Sequence, residues 1–490
     1  MIPDLRPLLT TLHFTAVAGL ALYGCHRLWL IFQWRRYLRK PQAPPPVLPP
    51  DRELPAVTIQ LPLFNERFVT ARVIDAAARI QWPKARLEIQ VLDDSTDATT
   101  KVAKKRVAYW RKRGIAIHLL SRNDRKGYKA GALDQGLAIA RGQFIAVFDA
   151  DFIPAPDFLR RTIGSFSDPG VGMVQARWGF LNAGQSWLTR LQALLLGPHF
   201  GIEHYVRFRR GLFFNFNGTA GIWRKSAIES AGGWRADTVT EDLDLSYRAQ
   251  LAGWRFVYRH DCVAMSELPV SLSAFRRQQQ RWTLGSVQTA KRILPRLLAS
   301  GYPVAVKIEA LFHLLANFCW LLGTLATLTL YPTILWRVGI GPHQILWLDL
   351  PLFVAAWGFV LLYFTLHTLH MKDRRSALFI PLIPALCIGI APCLALSAVK
   401  GLFIRGGVFE RTPKHGTYRN GKTRTATTLF AYHRKSLPHI LVNLPFLVYS
   451  ALPLLFAMER STLPAIPFLL LFPLGFCMVM LKDIMELFNH

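Results

Sequence analysis

The fold is decided by the stretch FIAVFDAD, residues 144–151. Residues 144–148 form a short apolar run typical of a buried strand, and Asp149 and Asp151 follow it. Side chains two residues apart in an extended chain point the same way. Two carboxylates on one side of a cleft suit Mg²⁺ or Mn²⁺, since Mg²⁺ commonly binds one or two carboxylates together with substrate phosphates. Two acids in a surface loop would give the same sequence pattern, so this pair alone does not distinguish a metal site from a surface loop.

Three similar apolar runs precede this one, at residues 57–61, 87–92 and 115–120. Short strands that alternate with helical patterns are typical of βαβ units, so the sequence predicts an α/β domain with a parallel sheet. Ligands bind such sheets at the carboxyl ends of the strands. The helical patterns lie between the runs, at residues 66–80, 98–113 and 128–141.

Acids also follow the second strand, where Asp93 and Asp94 come directly after residues 87–92. A carboxylate there can accept a hydrogen bond from a base N–H and leave a ribose hydroxyl to its neighbour, although Asp also favours turns and helix caps. Neither G-x-G-x-x-G nor G-x-x-x-x-G-K-[ST] follows the first strand. A dinucleotide-binding fold and a P-loop nucleotidase are therefore disfavoured.

Four cations follow the third strand: Arg122, Arg125, Lys126 and Lys129, before a helix predicted to begin near Gly131. Cations beside a helix N-terminus can hold a diphosphate, and a solvated basic face is the alternative. The diphosphate interpretation is favoured because the acids that end the second and fourth strands should lie at the same edge of the sheet.

Thr240, Glu241 and Asp242 open an amphipathic helix over residues 243–252. Thr240 could cap that helix, and the positive helix end would favour both acids. A carboxylate that begins a helix and faces a cleft is also a good general base. The residues alone leave these two interpretations side by side.

Gln278, Arg281 and Trp282 lie between a basic segment and the first apolar run after the domain. Their composition predicts an amphipathic helix at a membrane interface, and a Trp face can also stack on a sugar ring. Further back, His199 and His204 do not have the H-E-x-x-H spacing, so no metal site is predicted there.

Composition indicates a basic protein with much apolar surface. The 490 residues include 59 Lys and Arg against 30 Asp and Glu, a net charge of +29, and 51% are hydrophobic. Such hydrophobicity excludes a disordered chain, and at about 150 residues per domain the length predicts about three units. The cysteines are scattered with no C-x-x-C pair, which predicts no disulfide framework and no structural zinc: Cys25, Cys262, Cys319, Cys387, Cys393 and Cys477.

Long apolar runs predict three parts. Residues 1–40 hold a spanning helix over 8–32, and the basic residues after it mark its cytoplasmic end. Residues 51–300 are predicted to form a cytoplasmic domain that ends in interfacial helices, and residues 301–490 a transmembrane region. Five spans result, with the N-terminus outside and the C-terminus inside; the four C-terminal spans are predicted at 310–335, 346–368, 437–457 and 463–481.

The run 377–399 is predicted to lie along the interface or to re-enter the bilayer rather than cross it. Both of its flanks are basic, and such flanks favour the cytoplasmic side. Prolines within the run, including Pro392, break helix hydrogen bonding. A sixth span, on hydropathy alone, is the alternative. The prediction places residues 400–435 in the cytoplasm.

In this order, Asp-Asp-Ser, D-x-D, T-E-D and Q-x-x-R-W resemble the motifs of membrane-embedded processive family 2 glycosyltransferases, which include cellulose, chitin and hyaluronan synthases. Each motif is short, but the ordered set with flanking spans is specific, and the resemblance covers residues 55–435. A particular likeness is to the cellulose-synthase-like glucomannan and xyloglucan-backbone synthases, through residues 174–178, 216–224, 231–234 and 267–269.

The resemblance implies a Rossmann-like domain that binds a nucleotide sugar. In the family, the first acidic motif binds the nucleotide, D-x-D binds metal and diphosphate, the T-E-D aspartate is the base, and Q-x-x-R-W holds the acceptor sugar and the diphosphate. Here the base is Asp242 and the metal ligands are Asp149 and Asp151. Residues predicted to bind substrate are Asp93, Asp94, Lys129, Asp149, Glu241, Gln278, Arg281, Trp282, Thr412 and Lys414.

Residues 409–414 resemble the cytoplasmic gating loop F-x-V-T-x-K of cellulose synthases, except that Arg411 replaces Val. Because the topology above already places 400–435 inside, Thr412 and Lys414 are predicted to reach the nucleotide from the cytoplasm. The Arg leaves open whether the loop gates in the same way.

The sequence thus predicts an inverting, metal-dependent β-hexosyltransferase of the plasma or inner membrane, with a cytoplasmic catalytic domain. It would use Mg²⁺ or Mn²⁺, polymerise sugar from UDP-glucose or GDP-mannose into a β-linked polysaccharide and export the chain. The expected partners are the donor, the growing polysaccharide and membrane lipid, but no nucleic acid. One alternative is a non-processive enzyme that adds one sugar to a lipid, as ceramide glucosyltransferases do. Another, disfavoured by the acidic sheet edge, is a basic membrane protein that binds nucleic acid or acidic lipid.

Overall fold

The computed structural model describes residues 5–40, 44, 46–122, 124–337, 345–407, 414, 416, 418–419, 422–423, 437–459 and 465–488. Among these residues, β1–β7 form one sheet in the order β3-β2-β1-β4-β6-β5-β7, and β8 pairs with β9. The strands are β1 Val57–Leu63, β2 Leu87–Asp93, β3 Ala116–Ser121, β4 Phe144–Val147, β5 Val171–Phe180, β6 Gly221–Arg224, β7 Arg255–Ser266, β8 Tyr418–Arg419 and β9 Lys422–Thr423.

The four strands predicted from apolar runs are confirmed, and they pair in parallel as β3-β2-β1-β4. β1 and β2 are buried at every position, as strands covered on both faces must be. The sheet as a whole is mixed rather than purely parallel, because β6 runs antiparallel to both β4 and β5. β5 and β7 are parallel to each other and carry charged residues among the apolar ones, so no apolar run marked them.

The three predicted helices of the domain are confirmed with shorter bounds: α2 Thr70–Ala78, α3 Thr99–Arg111 and α4 Tyr128–Ile139. α4 begins at the first residue of the predicted pattern 128–141, three residues before Gly131, because Gly127, with φ of 72°, turns the chain directly into the helix. A π-helical turn, His199–His204, joins α6 to α7. The other labelled helices are α1 Arg6–Leu38, α5 Phe158–Thr162, α6 Trp187–Pro198, α7 Tyr205–Arg209, α8 Lys225–Ser230, α9 Glu241–Leu251, α10 Leu272–Ala299, α11 Val304–Leu314 and α12 Cys319–Arg337.

Six helices of the described chain are long and apolar enough to cross a membrane. Five of them correspond to the predicted spans, and the sixth falls on the run 377–399. α10, which holds Gln278 to Trp282, is not one of the six. The helices are Arg6–Leu38, Ala316–Arg337, Trp347–His370, Leu382–Phe403, His439–Glu459 and Ile466–Phe488.

The helix Leu382–Phe403 begins directly after Pro381 and continues through Pro392 without a break, so the expectation that prolines interrupt this run is wrong for Pro392. Tight packing explains the difference: 78% of its most apolar stretch is buried inside the protein, against 22–39% for the other five helices. It packs against α10, α12 and the helix Ile466–Phe488. Whether it crosses the bilayer stays a prediction.

Most of the gating-like segment, including Thr412, lies outside the described residues. Residues 416–423 read GTYRNGKT, which matches the letters of a P-loop. A P-loop needs a strand followed by a helix, whereas here Tyr418 pairs with Thr423 and Arg419 with Lys422 in antiparallel strands. The pattern is therefore not evidence for a phosphate-binding loop.

The domain and the apolar helices share one hydrophobic core. Leu30 and Trp34 of α1 belong to the same buried cluster as Val147 of β4, Trp223 of β6 and Leu386 of the helix Leu382–Phe403. A second cluster fills the space between β1, β2 and the helices α2 and α3. The shared core fixes the sheet against the apolar helices, so the edge at the carboxyl ends of its parallel strands has a fixed position relative to them.

Candidate active site

One cleft at the carboxyl ends of β1, β2 and β4 brings together most of the predicted site residues. The walls come from the strand ends on one side and from α9 and α10 on the other. Two predicted residues are not among those lining it: Asp93, which is buried, and Thr412, which lies outside the described residues. The predicted residues that line the cleft are Asp94, Lys129, Asp149, Asp151, Glu241, Asp242, Gln278, Arg281, Trp282 and Lys414.

The two aspartates after β2 have different surroundings. Asp94 pairs with Arg122, whose Nε donates to Asp94 Oδ1 over 2.8 Å. Asp93 is only 3% exposed, and its Oδ1 accepts the backbone N–H of Ser95 over 3.1 Å. Asp94 therefore faces the cleft with a fixed carboxylate, and Asp93 shapes the turn beneath it.

The predicted cluster of four cations divides into two pairs. Lys129 and Arg125 line the cleft, and the Arg125 guanidinium lies 3.2 Å from the centre of the Phe64 ring. Arg122 instead pairs with Asp94, and Lys126 is exposed, so the structure brings two of the four cations to the cleft lining; that they hold a diphosphate stays a prediction. Lys129 sits in the first turn of α4, after the turn at Gly127, whereas the other three cations precede that turn.

Asp149 and Asp151 both line the cleft, and each is paired with a lysine. Lys129 Nζ lies 2.5 Å from Asp149 Oδ1, and Lys414 Nζ lies 2.7 Å from Asp151 Oδ2. Lys414 also donates to the carbonyl of Glu267 over 2.8 Å. Lys414, the last residue of the predicted gating motif, thus lies at the acidic pair.

The donor set at Asp149 and Asp151 fits a hard cation that takes its other ligands from phosphates and water. About a third of the Asp149 side chain is exposed to the cleft. Among the described residues, no group of three His, Cys, Asp or Glu side chains could hold a metal, which is compatible with a two-carboxylate site.

Asp242 lies in the first turn of α9, where its Oδ1 accepts the backbone N–H of Leu243 over 2.8 Å. Burial, together with the negative charge of Glu241, raises the pKa of Asp242 to about 7, against the opposing charge of Lys129. The Thr240 side chain makes no cap hydrogen bond, so the cap interpretation fails for that residue. A carboxyl with such a pKa can accept a proton near neutral pH.

α10 supplies the opposite wall through Gln278, Arg281 and Trp282. Burial lowers the pKa of the Arg281 guanidinium, while the carboxylates of Glu241, Asp242 and Asp149 raise it. An arginine remains charged under such opposing effects because its ordinary pKa exceeds about 12. A fixed positive charge therefore faces the acids across the cleft.

Asn217 and Gly218 also line the cleft, and residue-by-residue reasoning did not single them out. Gly218 has φ of 78°, and a Cβ there would lie 2.9 Å from Asp242 Oδ2, so only glycine fits. Its carbonyl accepts from Lys129 Nζ over 2.9 Å. The one available signal was the likeness of residues 216–224 to related synthases.

A family model described as "Glycosyltransferase like family 2" matches residues 55–285. This range contains β1–β7, α9 and the cleft residues of α10. Residues 55–285 are therefore similar to this glycosyltransferase family, and the acidic motifs and Q-x-x-R-W all lie within the matched range.

Curated relatives extend the likeness. The chain is 46% identical over 251 residues to glucomannan 4-beta-mannosyltransferase 7 of Arabidopsis thaliana, covering 50% of this chain and 45% of that one. It is 41% identical over 333 residues to probable glucomannan 4-beta-mannosyltransferase 3 of Oryza sativa subsp. japonica, covering 67% and 59%. The matched part spans about half the length of these relatives. The predicted resemblance to cellulose-synthase-like glucomannan synthases is confirmed.

Among solved structures, the mannosyltransferase PcManGT from Pyrobaculum calidifontis, in complex with GDP-Man and Mn²⁺, aligns with a TM-score of 0.54. It is 20% identical, and the alignment covers 81% of this chain and 99% of that one. At this identity the likeness concerns the fold. The glycosyltransferase domain has a GT-A-like fold with a mixed sheet, beside apolar helices.

Proposed function

We propose that the chain is an inverting, membrane-bound β-hexosyltransferase whose general base is Asp242. The observation that carries the proposal is the cleft that brings Asp242 together with Asp149, Asp151 and Arg281; burial and the charge of Glu241 raise the pKa of Asp242 there to about 7. A base works best when its pKa lies near the operating pH. Glycosyl transfer from a nucleotide sugar needs a general base beside a site for the donor's diphosphate, and this cleft would provide both.

In the proposed reaction, Asp242 takes the proton of the acceptor hydroxyl as that oxygen attacks the donor's anomeric carbon. Arg281 and Lys129 stabilise the negative charge that develops on the departing nucleotide diphosphate. Trp282 offers its ring face to the acceptor sugar. A cation held by Asp149 and Asp151 would neutralise diphosphate charge. Direct displacement converts an α-linked donor into a β-linked product.

GDP-mannose is the donor that the relatives favour over UDP-glucose. The matched plant proteins are named glucomannan 4-beta-mannosyltransferases, and the structural neighbour holds GDP-Man and Mn²⁺. We propose Mn²⁺ or Mg²⁺ as the cofactor of this chain on the two-carboxylate donor set. The acceptor would be the non-reducing end of a growing β-linked chain.

The proposed setting is a cell membrane, with the glycosyltransferase domain on the cytoplasmic side, where nucleotide sugars are made. Within the part of the chain that the structure describes, six helices are long and apolar enough to span, and the basic residues that follow α1 support the cytoplasmic side at its C-terminal end. Export of the polymer through the apolar helices follows from this arrangement as part of the proposal.

A donor screen tests the proposal. The purified protein in nanodiscs should turn over GDP-mannose faster than UDP-glucose or UDP-N-acetylglucosamine, and excess EDTA should abolish turnover until Mn²⁺ or Mg²⁺ is restored. Asp151→Ala should lose turnover as well. Full activity in excess EDTA would contradict the metal site, and turnover of none of these donors would contradict the function.

A further inference from the structure

Two histidines behind the cleft hold the side chain of Asn217 from opposite ends. His204 Nε2 lies 2.6 Å from Asn217 Oδ1, and Asn217 Nδ2 lies 3.1 Å from His199 Nε2. The backbone N–H of Asn217 donates to Gln175 Oε1 over 3.0 Å. The residue is therefore fixed at its backbone and at both atoms of its amide.

The π-helical turn explains how both histidines reach one amide. They are five residues apart, and in an α-helix such residues point about 140° apart around the axis, at 3.6 residues per turn. A π-turn closes its hydrogen bonds between residues i and i+5, which brings these positions to the same face. The ring centres of His199 and His204 lie 4.4 Å apart.

Hydrogen-bond partners fix the direction of each contact. The carboxylate of Glu203 lies 3.3 Å from His199 Nδ1, and because a carboxylate accepts only, His199 carries its proton on Nδ1. His199 Nε2 then accepts from the Asn217 amide, and His204 Nε2–H donates to the amide oxygen. Burial lowers the pKa of His204 well below its usual value, so that ring is neutral.

Glu203 is itself held by charges from separate elements. Arg27 of α1 contacts it over 2.7 Å, Arg207 over 3.1 Å, and the Tyr363 hydroxyl donates to it over 3.1 Å. Arg207 continues to Glu309 of α11 over 2.8 Å. The histidine pair thus stands on a buried ionic network that ties the cleft wall to the apolar helices.

We propose that His199 and His204 are positioning residues that orient Asn217 to bind a hydroxyl of the acceptor sugar. An amide has two N–H donors and two acceptor lone pairs, and the histidines use one of each. One donor and one acceptor remain, which matches a sugar hydroxyl. Asn217 is next to Gly218, whose Cβ position lies 2.9 Å from Asp242 Oδ2, so this hydroxyl belongs to the sugar that meets the base.

This inference rests on the proposed function, and its test compares variants with wild type on whichever donor the wild type uses. His199→Phe keeps a ring but removes the acceptor of the amide; His199→Gln returns an acceptor oxygen near Nε2. With GDP-mannose and a β-(1→4)-mannan oligosaccharide, His199→Phe should lower kcat/KM for the oligosaccharide about tenfold to a hundredfold, as misplacement does. The Kd for GDP-mannose should not change, and His199→Gln should stay within about threefold of wild type.

A double-mutant cycle separates positioning from general damage. Asn217→Ala should reproduce the loss, and adding His199→Phe to it should cost nothing further, since both act through one amide. His260→Phe, a change of another partly buried histidine, which packs on Tyr205 and Tyr258, is the matched control and should behave as wild type.

Several results would overturn the proposal. They are an unchanged kcat/KM in His199→Phe, an equal further loss in the Asn217→Ala background, or no recovery in His199→Gln. A cryo-EM structure of His199→Phe gives a measurement that needs no turnover: the Asn217 amide should leave its present orientation, and an unmoved amide would contradict the role. Failure of the proposed function appears separately, as a wild type that uses none of the donors.

Discussion

At the scale of single residues, the chemistry of the cleft depends on the surroundings of Asp242. Burial and the charge of Glu241 oppose its ionisation, whereas Lys129 and Arg281 favour it. These opposing effects place its pKa at about 7, close to neutral pH. Substitution of a charged neighbour of Asp242 should therefore change activity measurably, as substitution of Asp242 itself should.

Asp242→Asn should lower transfer by roughly 10²–10⁴-fold or more, because an amide cannot accept the acceptor proton. The donor binds through other groups, so its Kd should change little. Turnover and isothermal titration of GDP-mannose measure the two effects. Near-normal turnover would leave Asp242 as an ordinary acid at a helix start.

Glu241→Gln should move the acidic limb of the pH profile. Asp242 must be deprotonated to act, so kcat/KM of the wild type should rise with pH and level off above about pH 7. Removing the charge of Glu241 lowers the pKa of Asp242, and the limb should shift to lower pH. A limb that stays in place or shifts upward would show that Glu241 does not tune the base.

Lys414→Met should tighten Mn²⁺ binding in the absence of donor. The Lys414 ammonium contacts Asp151 over 2.7 Å and competes with a cation for that carboxylate. Electron paramagnetic resonance of free Mn²⁺ measures the affinity directly, without turnover. Lys126→Met makes the same change of charge at an exposed lysine and should have no such effect; equal affinities in the two variants would refute the competition.

At the scale of elements, buried strands were the easiest to predict. β1, β2 and β4 are buried at every position, although β1 and β2 alternate apolar with polar residues. β7 mixes several charged residues with apolar ones, β5 carries Arg177, and the four residues of β6 are too few for a pattern. The acids at strand ends could be predicted to meet, since parallel strands end at one edge. The contact of His199 and His204 with Asn217 could not, because it depends on a π-turn that sequence spacing does not reveal.

The predicted membrane topology depends on whether the helix Leu382–Phe403 crosses the bilayer. We predict that it does not cross the bilayer and that residues 400–435 are cytoplasmic, since both flanks are basic and cations near the cytoplasmic leaflet gain about 1 kcal/mol each. In a cysteine-free background, Ser376→Cys and Thr423→Cys should resist an impermeant thiol reagent until cells are opened. Ser461→Cys, in the loop 458–463 that the same topology places outside, is the control that should label in intact cells. Labelling of Thr423→Cys from outside would make the helix a true span.

At the scale of the whole molecule, the glycosyltransferase domain and the apolar helices share a core and a buried ionic network. Leu30 and Trp34 of α1 belong to the buried cluster that also contains residues of the sheet, and Arg27 of the same helix pairs with Glu203 behind the cleft. A cleft that shares a core and an ionic network with the apolar helices suits a processive enzyme, in which the product stays bound while it moves toward the membrane.

The length of the product tests this account most directly. The purified protein in nanodiscs would receive GDP-mannose, Mn²⁺ and a large excess of a labelled β-(1→4)-mannan oligosaccharide, and the products would be sized by mass spectrometry and gel filtration. If the enzyme is processive, as the account predicts, the products should be a few long chains, cleavable by a β-mannanase, and most of the labelled oligosaccharide should remain unused. A product in which most acceptors have gained one sugar, with no long chains, would contradict it.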